Sequence, residues 1–383
     1  MTQTMKLKDC ATIIAGQSPK SDYYNTEGDG LPFFQGKSDF GELYPKIRVF
    51  CSEPIKIAEK DDILLSVRAP VGPTNLAPAK VCIGRGLSAI RPNEKLDLKY
   101  LLWFFRYYEA QLSSQGTGTT FKAINQNVLK NIDIPVPTIN EQHSIVARID
   151  ELFSDLGKGV ETLQTIKQQL AVYRQAALKE AFGQHYLTVK ISDVCSEIVD
   201  CPHSTPKWVD TGYVCLRTTN FKRGFLDLTE PNYVSQDTFN TRNKRLIPKS
   251  GDVLYSREGS ILGIACIIPA GITPCLGQRM MLLRVSDKLN NRFLMHYLNS
   301  PMVTNHVITT KGGTGSPHIN VGDIKNFYIP LPNIKQQERI VASLDAHLSV
   351  CDSIEQTVDT ALSQAEAMRQ SILKKAFEGG FSE

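Results

Sequence analysis

Two short loops are the segments of this sequence best suited to binding a phosphate group. Residues 115–120 read QGTGTT and residues 311–316 read KGGTGS, so both loops are rich in glycine and hydroxyl side chains. Such loops offer backbone N–H groups to an anion, but the nucleotide-binding P-loop also requires Gly-Lys-Ser or Gly-Lys-Thr. Neither loop is followed by that tripeptide, which argues against a P-loop.

Other catalytic signatures are missing as well. No G-x-G-x-x-G opens a helix after a strand, the Asn/Asp-Pro-Pro-aromatic signature of amino-methyltransferases is absent, and no carboxylate cluster with a nearby lysine resembles a nuclease centre. The histidines, among them His203, His296, His306 and His318, lack the spacing of metal ligands. Together these absences predict a chain that is not an enzyme and holds no metal ion.

The elements that would carry the two loops occur twice in the chain. Residues 134–147 read IPVPTINEQHSIVA, and residues 329–342, which lie 195 positions later, read IPLPNIKQQERIVA. The same offset relates YRQAALKEAF at 173–182 to MRQSILKKAF at 368–377. A repeat of this size indicates two copies of one structural unit.

Each copy of the repeat predicts a long helix. Its two prolines cannot extend a helix backwards, and Thr138 with Glu141 has the pattern of a capping box, repeated by Asn333 and Gln336. Apolar residues then recur at steps of three and four, the pattern of a helix that packs on a partner helix. They are Ile145, Ile149, Leu152, Leu156, Leu163, Leu170 and Tyr173 in the first copy, and Ile340, Leu344, Leu348, Cys351, Val358, Leu362, Ala365, Met368 and Ile372 in the second.

The two helices are predicted to pair with each other as an antiparallel coiled coil, each of about 40 residues and about 60 Å long. The alternative is two separate amphipathic helices, each lying on its own domain. Gly157 and Gly159 interrupt the first helix and cost about 1 kcal/mol each relative to alanine, which would allow a kink there.

Length and composition are consistent with this organisation. The 383 residues suffice for two to three domains, and we predict an α+β fold with a domain at 1–132, a helix at 133–184, a second domain at 185–327 and a second helix at 328–383. No segment resembles a signal peptide or a membrane span, and the nine cysteines form no CxxC pair, so a reduced cytoplasmic chain is expected. The net charge of +4 permits a polyanionic partner.

The two predicted domains share several sequence landmarks, but the segments between those landmarks differ. Residues 252–256 (DVLYS) echo residues 62–66 (DILLS), and in each domain a short helix and then the glycine-rich loop follow. By contrast, VCLRTTNF at 214–221 stands roughly where PFFQGK does at 32–37. Two different surfaces on one scaffold, held apart by a helical spacer, suit the reading of two half-sites on one duplex.

Over essentially its whole length the chain resembles the specificity subunits of type I restriction–modification systems. The resemblance is carried by GQSP at 16–19 with LPFFQGK at 31–37, and by the two Ile-Pro-x-Pro helices with their Q-x-x-I-V segments at 142–146 and 337–341. It is also carried by the glycine-rich loops, which are followed by Ile-Asn at 124–125 and 319–320.

In that family each variable domain is a target-recognition domain that reads one half of a split, asymmetric DNA site. The resemblance implies a non-catalytic reader of double-stranded DNA whose paired helices dock two methyltransferase subunits, with restriction/translocase subunits joining them. It implies no cofactor on this chain, because S-adenosylmethionine is expected on the methyltransferase subunits, and no membrane partner.

Candidate DNA contacts follow from residue type, because base edges are read by Arg, Lys, Asn and Gln and phosphates by Lys, Arg, Ser, Thr and backbone amides. In the first domain they are Gln17, Ser18, Lys20, Tyr23, Gln35, Lys37, Arg68, Thr117, Thr119 and Lys122. In the second they are His203, Lys207, Arg217, Asn220, Lys222, Arg223, Arg257, Arg279, Thr314, Ser316 and His318.

Two other functions stay open at this point. A structural adaptor could grip proteins with its two domains and dimerise through its helices, and salt-dependent binding to duplex DNA would distinguish the reader from the adaptor. A self-sufficient methyltransferase or nuclease would need a hidden active site, which methyl transfer by the purified chain would reveal.

Overall fold

The structure is a computed structural model that describes residues 3–117, 122–310 and 317–379. It divides into two compact units, one formed by Met1–Leu163 with Thr360–Glu383 and the other by Gln164–Asp359. Each unit contains one mixed α/β domain and a segment of each of two long helices. The predicted α+β class is confirmed.

The first domain consists of short strands with one longer helix near its end. Its strands are β1 (Gln3–Lys6), β2 (Ala11–Ala15), β3 (Tyr24–Asn25), β4 (Leu31–Phe34), β5 (Phe50–Cys51), β6 (Ile57–Ala58), β7 (Ile63–Ser66), β8 (Thr74–Leu76), β9 (Val81–Ile83), β10 (Leu87–Pro92) and β11 (Asp133–Val136). Its helices are α1 (Leu7–Cys10), α2 (Leu98–Ser114) and α3 (Gln126–Lys130), and the long helix α4 (Ile139–Phe182) follows.

The second domain repeats this plan. Its strands are β12 (Thr188–Lys190), β13 (Cys195–Asp200), β14 (Trp208–Val209), β15 (Tyr213–Leu216), β16 (Phe221–Lys222), β17 (Phe225–Leu226), β18 (Tyr233–Val234), β19 (Val253–Ser256), β20 (Ala265–Ile267), β21 (Cys275–Leu276), β22 (Met280–Val285) and β23 (Tyr328–Pro330). Its helices are α5 (Ile191–Val194), α6 (Gln236–Arg242), α7 (Asn291–Leu298), α8 (Pro301–Thr310) and α9 (Val321–Lys325). The long helix α10 (Ile334–Lys374) follows and continues as a π-helical turn, Lys375–Gly379.

Both domains have the same central sheet. Four antiparallel strands lie in the order β2-β10-β7-β8 in the first domain and β13-β22-β19-β20 in the second. A further sheet contains one parallel pair in each domain, β4 with β9 and β15 with β21. Every residue of β7 and of β19 is buried, as expected for short, mostly apolar runs bounded by polar turns.

An ion pair with a buried aspartate precedes the central strand of each domain. Asp62, which is 1% exposed, accepts hydrogen bonds from Nε and Nη2 of Arg91 at 2.7 and 2.8 Å. Asp252, also 1% exposed, accepts from the same two atoms of Arg284 at 2.8 and 2.7 Å. The hydrogen bond to Asp252 raises the pKa of the Arg284 guanidinium. Bidentate hydrogen bonds between arginine and carboxylate are strong. The aspartate of the repeated sequence motif therefore joins neighbouring strands of the central sheet.

Each domain begins and ends in one two-stranded sheet, β1 with β11 and β12 with β23. Just inside these sheets, the Leu7 N–H donates to the Ile132 carbonyl at 2.9 Å and the Ile191 N–H to the Phe327 carbonyl at 2.8 Å. The chain therefore enters and leaves each domain at one place.

A capping box starts each long helix, as the sequence predicts. The Thr138 N–H donates to Oε2 of Glu141 at 2.8 Å, and the Glu141 N–H donates to Oγ1 of Thr138 at 3.4 Å. Asn333 and Gln336 make the same two bonds at 3.2 and 3.0 Å. Both satisfy N–H groups that an open helix end would leave without partners.

A buried glutamine fastens the first turn of each long helix to its domain. Gln142 is fully buried; its Oε1 accepts from the Asp97 N–H at 2.8 Å, and its Nε2 donates to the Lys95 and Pro137 carbonyls at 2.8 and 2.9 Å. Gln337 makes three matching bonds at 2.7 to 3.0 Å. Each amide uses both hydrogens and its oxygen, so the side chain fixes the helix against the loop before α2 or α7.

The segments of α4 and α10 run antiparallel in the second unit. Nζ of Lys167 lies 2.7 Å from Oδ1 of Asp359, and the Arg174 guanidinium lies 2.6 Å from a carboxylate oxygen of both Asp352 and Glu355. The later residue of α4, Arg174, thus pairs with earlier residues of α10 than Lys167 does, which is the antiparallel order.

The first unit shows the same antiparallel order. Ile149 of α4 packs with Leu373 of α10 in one apolar cluster, and the guanidinium of Arg369 lies 5.8 Å from the centre of the Phe153 ring. The predicted antiparallel pairing is confirmed in each unit.

The long helices depart from the sequence prediction in one respect. α4 is uninterrupted through Gly157 and Gly159, but Tyr173 and Met368, both predicted in the seam, are 49% and 53% exposed. The prediction is wrong at these two positions. A straight helix has 3.6 residues per turn, so it drifts away from a seam that repeats every 3.5.

An aromatic residue near the end of each long helix packs on the domain in its unit. The ring of Phe377 lies 5.2, 5.6 and 5.4 Å from those of Tyr100, Phe104 and Tyr107 on α2. Phe182, at the matching position of α4, lies 5.1 and 5.2 Å from two aromatic rings of α7. Aromatic pairs at these ring separations stabilise the folded state by about 0.5–1.5 kcal/mol each beyond the effect of their apolar burial.

Candidate nucleic-acid interface

Four loops of the first domain meet at the base of its glycine-rich loop, and we call this edge the first rim (residues 16–18, 35–37, 67–68, 84–86, 117 and 122–124). Backbone bonds hold it together, because the Val67 N–H donates to the Gly86 carbonyl at 2.9 Å and the Ile124 N–H to the Val67 carbonyl at 3.0 Å. Oγ of Ser18 accepts from the Arg85 N–H at 3.2 Å. The rim is therefore one connected surface.

The first rim collects most of the DNA contacts predicted for its domain. Those it contains are Gln17, Ser18, Gln35, Lys37, Arg68, Thr117 and Lys122, all exposed except the half-buried Ser18. Lys20 and Tyr23 lie in the segment after the rim that leads to β3, where the nearby Glu53 carboxylate raises the pKa of Tyr23. Thr119 lies outside the described residues.

The second domain has a matching edge, the second rim (residues 200–205, 217, 257–259, 277–279 and 317–319). The Arg257 N–H donates to the Arg279 carbonyl, and the Ile319 N–H to the Arg257 carbonyl, each at 3.0 Å. These bonds correspond to those of Val67 and Ile124 in the first rim. The scaffold beneath the two rims is the same.

Two predicted contacts in the second domain are engaged inside the protein. Arg257 is 8% exposed, and its Nε donates to Oδ1 of Asp200 at 2.9 Å. Asn220, also 8% exposed, accepts from the Arg217 N–H at 2.8 Å and donates to the Asp227 carbonyl at 3.0 Å. Both side chains hold loops in place, and their contact with DNA stays a prediction that would require these bonds to be exchanged.

The other predicted residues of the second domain are distributed more widely. His203, Arg217 and Arg279 are exposed on the second rim, where Nε2 of His203 lies 3.0 Å from Oδ2 of Asp200. His318 is half-buried on the same rim, and Lys207 is exposed just before β14. Thr314 and Ser316 lie outside the described residues.

Lys222 and Arg223 line a cleft rather than the second rim. The cleft has a volume of about 590 Å³ and is also lined by residues of α4 and α10, among them Arg174, Asp352 and Glu355. Burial lowers the pKa of Arg223, whose Nη1 donates to the Asn299 carbonyl at 3.3 Å. DNA contact by these two residues stays a prediction.

Residue type alone missed three members of the rims. Arg85 lies between Gly84 and Gly86 at the tip of the turn before β10, and Gln278 has the matching place before β22. Glu258 follows the buried Arg257 and pairs through its backbone with His318. The glycines of the first turn were the available signal, because they indicate a close approach of backbones at that point.

The described residues contain no group of three His, Cys, Asp or Glu side chains that could hold a metal ion. Nε2 of His296 lies 2.9 Å from Oδ1 of Asp345, and burial lowers the histidine pKa. This histidine is therefore buried in the protein and paired with a carboxylate. In the same described ranges, no helix has the length and apolarity needed to cross a bilayer.

Comparison with known proteins covers both domains. The family model of the type I restriction modification DNA specificity domain matches residues 2–170 and 185–364. A Methanocaldococcus jannaschii chain described as a type I restriction enzyme specificity subunit is 43% identical over 162 residues, which are 41% of this chain and 38% of that relative. The EcoKI specificity subunit of Escherichia coli is 23% identical over 90% of this chain and 80% of its own length.

Solved structures share the fold. A chain from a study of complex assembly and conformational transition of a type I R-M system has a TM-score of 0.76, with 21% identity over 99% of this chain and 98% of that one. The HsdS subunit from Thermoanaerobacter tengcongensis has a TM-score of 0.51, with 20% identity over 99% and 97%. The chain therefore belongs to the family of type I restriction–modification specificity subunits, with two DNA specificity domains and no catalytic role of its own.

Proposed function

We propose that each domain of this specificity subunit reads one half of an asymmetric, two-part DNA site. The observation that carries the proposal is that the two rims share a backbone scaffold while their side chains differ at matched positions. Arg68 in the first rim corresponds to Glu258 in the second, and Arg85 corresponds to Gln278. Rims that offer different donors and acceptors would select different base pairs.

The first rim has the composition of a duplex-binding surface. Lys37, Arg68 and Lys122 are exposed cations that suit phosphate oxygens, and Gln17 and Gln35 are exposed amides that suit base edges. Binding should weaken as salt rises, because each neutralised phosphate releases counterions. The proposed function requires access to DNA and hence a cytoplasmic location.

The sharpest experiment replaces one domain. Because β1 pairs with β11 at the point where the chain enters and leaves the first domain, residues 3–132 can be exchanged for the matching domain of a subunit with another specificity. We expect only one half-site of the methylated sequence to change, while the other half-site and the spacer remain. Sequencing of methylated adenines in the host reports the result.

The reciprocal exchange of the second domain, joined at β12 and β23, is the matched control and should change the other half-site. If either exchange altered both half-sites or the spacing, the domains would not be independent readers. If neither the exchanged chain nor the parent showed salt-dependent binding to duplex DNA, the protein adaptor would be favoured instead.

The long helices are proposed to dock two methyltransferase subunits, which would hold S-adenosylmethionine, and restriction/translocase subunits would complete the assembly. Exposed apolar residues on the helices support a protein partner, because such residues in groups mark interaction surfaces. In the second unit Val172 is 70% exposed, Val350 59% and Ile354 41%.

Val350→Glu and Ile354→Glu should therefore weaken methyltransferase binding, since a carboxylate would have to be desolvated at the contact. We expect a loss of at least about tenfold in affinity, measured by titration of the full chain with the purified subunit, while the stability of the free chain changes by no more than about 0.5 kcal/mol. Gln168→Glu, which adds the same charge at an exposed polar site of α4, is the control. Unchanged affinity in both test variants would count against docking on this surface.

A further inference from the structure

Arg279 has a backbone conformation that few arginines adopt. Its φ is 67°, in the left-handed region that favours glycine. A non-glycine side chain in this region strains the backbone. The residue ends the turn before β22, and its carbonyl accepts the Arg257 N–H at 3.0 Å. The protein therefore retains a side chain at a position where glycine would be more stable.

The first domain has a glycine at the matching position. Gly86 accepts the Val67 N–H there, and a Cβ on Gly86 would lie 2.2 Å from the Gln35 carbonyl oxygen. No side chain can be accommodated at this point of the first rim without moving backbone. The arginine is thus a feature of the second rim alone.

The Arg279 side chain is held loosely at the surface. It is 53% exposed, and its Nε lies 3.8 Å from Oε1 of Glu258, beyond hydrogen-bond distance. A Cβ on Gly259 would lie 3.4 Å from Nη1 of Arg279, so the guanidinium passes over a glycine. Gly259 itself has a φ of 89° and donates its N–H to the Pro317 carbonyl at 2.9 Å. The guanidinium therefore lies beside the backbone contact between Gly259 and Pro317.

We propose that Arg279 reads a guanine in the half-site of the second domain. A guanidinium donates two parallel bonds to O6 and N7 of guanine in the major groove, which is the commonest specific arginine contact with DNA. The Glu258 carboxylate partly offsets the positive charge of the Arg279 guanidinium and so weakens its attraction to a phosphate. The two planar N–H donors then remain available for a base edge. This inference rests on the proposed function, and it names one base of the second half-site and the residue that recognises it.

The test separates stability from base reading. The full chain, purified with its methyltransferase subunits, selects sequences from randomised duplexes, and the domain exchange identifies the half-site of the second domain. Arg279→Gly should lower the preference for guanine at one position of that half-site by about tenfold or more. The same variant should have an equal or higher melting temperature, since glycine adopts this φ without strain.

Three further variants test whether the planar guanidinium itself recognises the guanine. Arg279→Lys keeps the charge and loses the planar fork, so it should lose most of the guanine preference. Arg279→Asn, which also tolerates a left-handed backbone, should behave like Arg279→Gly. Asp61→Gly is the matched control, because Asp61 has a φ of 68° outside either rim; it should raise stability and leave both half-sites unchanged.

A guanine preference that survives in Arg279→Gly, or a second half-site without guanine in the parent chain, would overturn the inference. A lower melting temperature in Arg279→Gly would also overturn it, because the strain argument would then be wrong. A parent complex that selects no sequence at all would instead overturn the proposed function.

Discussion

Gln142→Leu is expected to destabilise the first unit by about 3 kcal/mol or more, since burial of an unbonded polar group costs about 1–3 kcal/mol. Leucine would leave three backbone groups of this part-buried junction without their glutamine partner, the Asp97 N–H and the carbonyls of Lys95 and Pro137. The loss should be local to the junction between α2 and α4. Hydrogen exchange of peptides that cover residues 95–101, together with urea unfolding, measures it.

Gln142→Glu tests whether the hydrogen bonds or the shape are responsible. The carboxylate has the same shape but would face two carbonyl oxygens with no N–H to donate. We expect it to be as damaging as leucine at pH 7. Burial would raise the pKa of this glutamate in the folded state, so stability should recover in part as the pH falls and the acid becomes protonated. Gln111→Leu, at an exposed glutamine of α2, should change stability by less than about 0.5 kcal/mol; normal exchange at 95–101 in Gln142→Leu would contradict the account.

Arg284→Ala should destabilise the second unit by about 3–5 kcal/mol, the cost of leaving one member of a buried ion pair alone. Asp252 is 1% exposed and would keep only the Lys249 N–H, at 2.9 Å, of its present partners. Thermal and urea unfolding at pH 7 measure the loss.

The matched variant is Arg91→Ala in the first domain. The Arg91 side chain is 43% exposed, against 18% for Arg284, so water can replace it more easily and its loss should cost less. Adding Asp252→Ala to Arg284→Ala should restore part of the stability, because no unpaired charge then remains. A double variant less stable than Arg284→Ala would show that the unpaired carboxylate is not the cause.

The parts of the fold that local sequence determines were predictable. The repeat appears in the sequence as a constant offset of 195 positions, whereas the capping boxes and the long helices depend on residues within a few positions of each other; all three are confirmed. The function of Gln142 was not predictable, although its motif was recognisable, because Lys95 and Asp97 lie more than forty residues earlier in the chain. The exposed Tyr173 shows the limit of a periodic pattern carried along a helix of 44 residues.

The candidate site was harder to predict because residue type does not reveal which donors are already used. Arg257 and Lys37 both carry a positive charge that suits a phosphate, yet Arg257 is bound to Asp200 and Lys37 is exposed. Arg85 was missed because its importance comes from backbone contacts between loops far apart in sequence, such as the bond from its N–H to Ser18.

The division of the chain between the two units has a consequence for its synthesis. The second unit is one continuous segment, Gln164–Asp359, whereas the first unit also needs Thr360–Glu383. During synthesis, the second unit can complete its fold before Phe377 has been made. The aromatic face of α2, on which Phe377 packs, is uncovered until then. A pause or stop in translation before that residue would leave this face open to chaperones and proteases, although the first domain was made first.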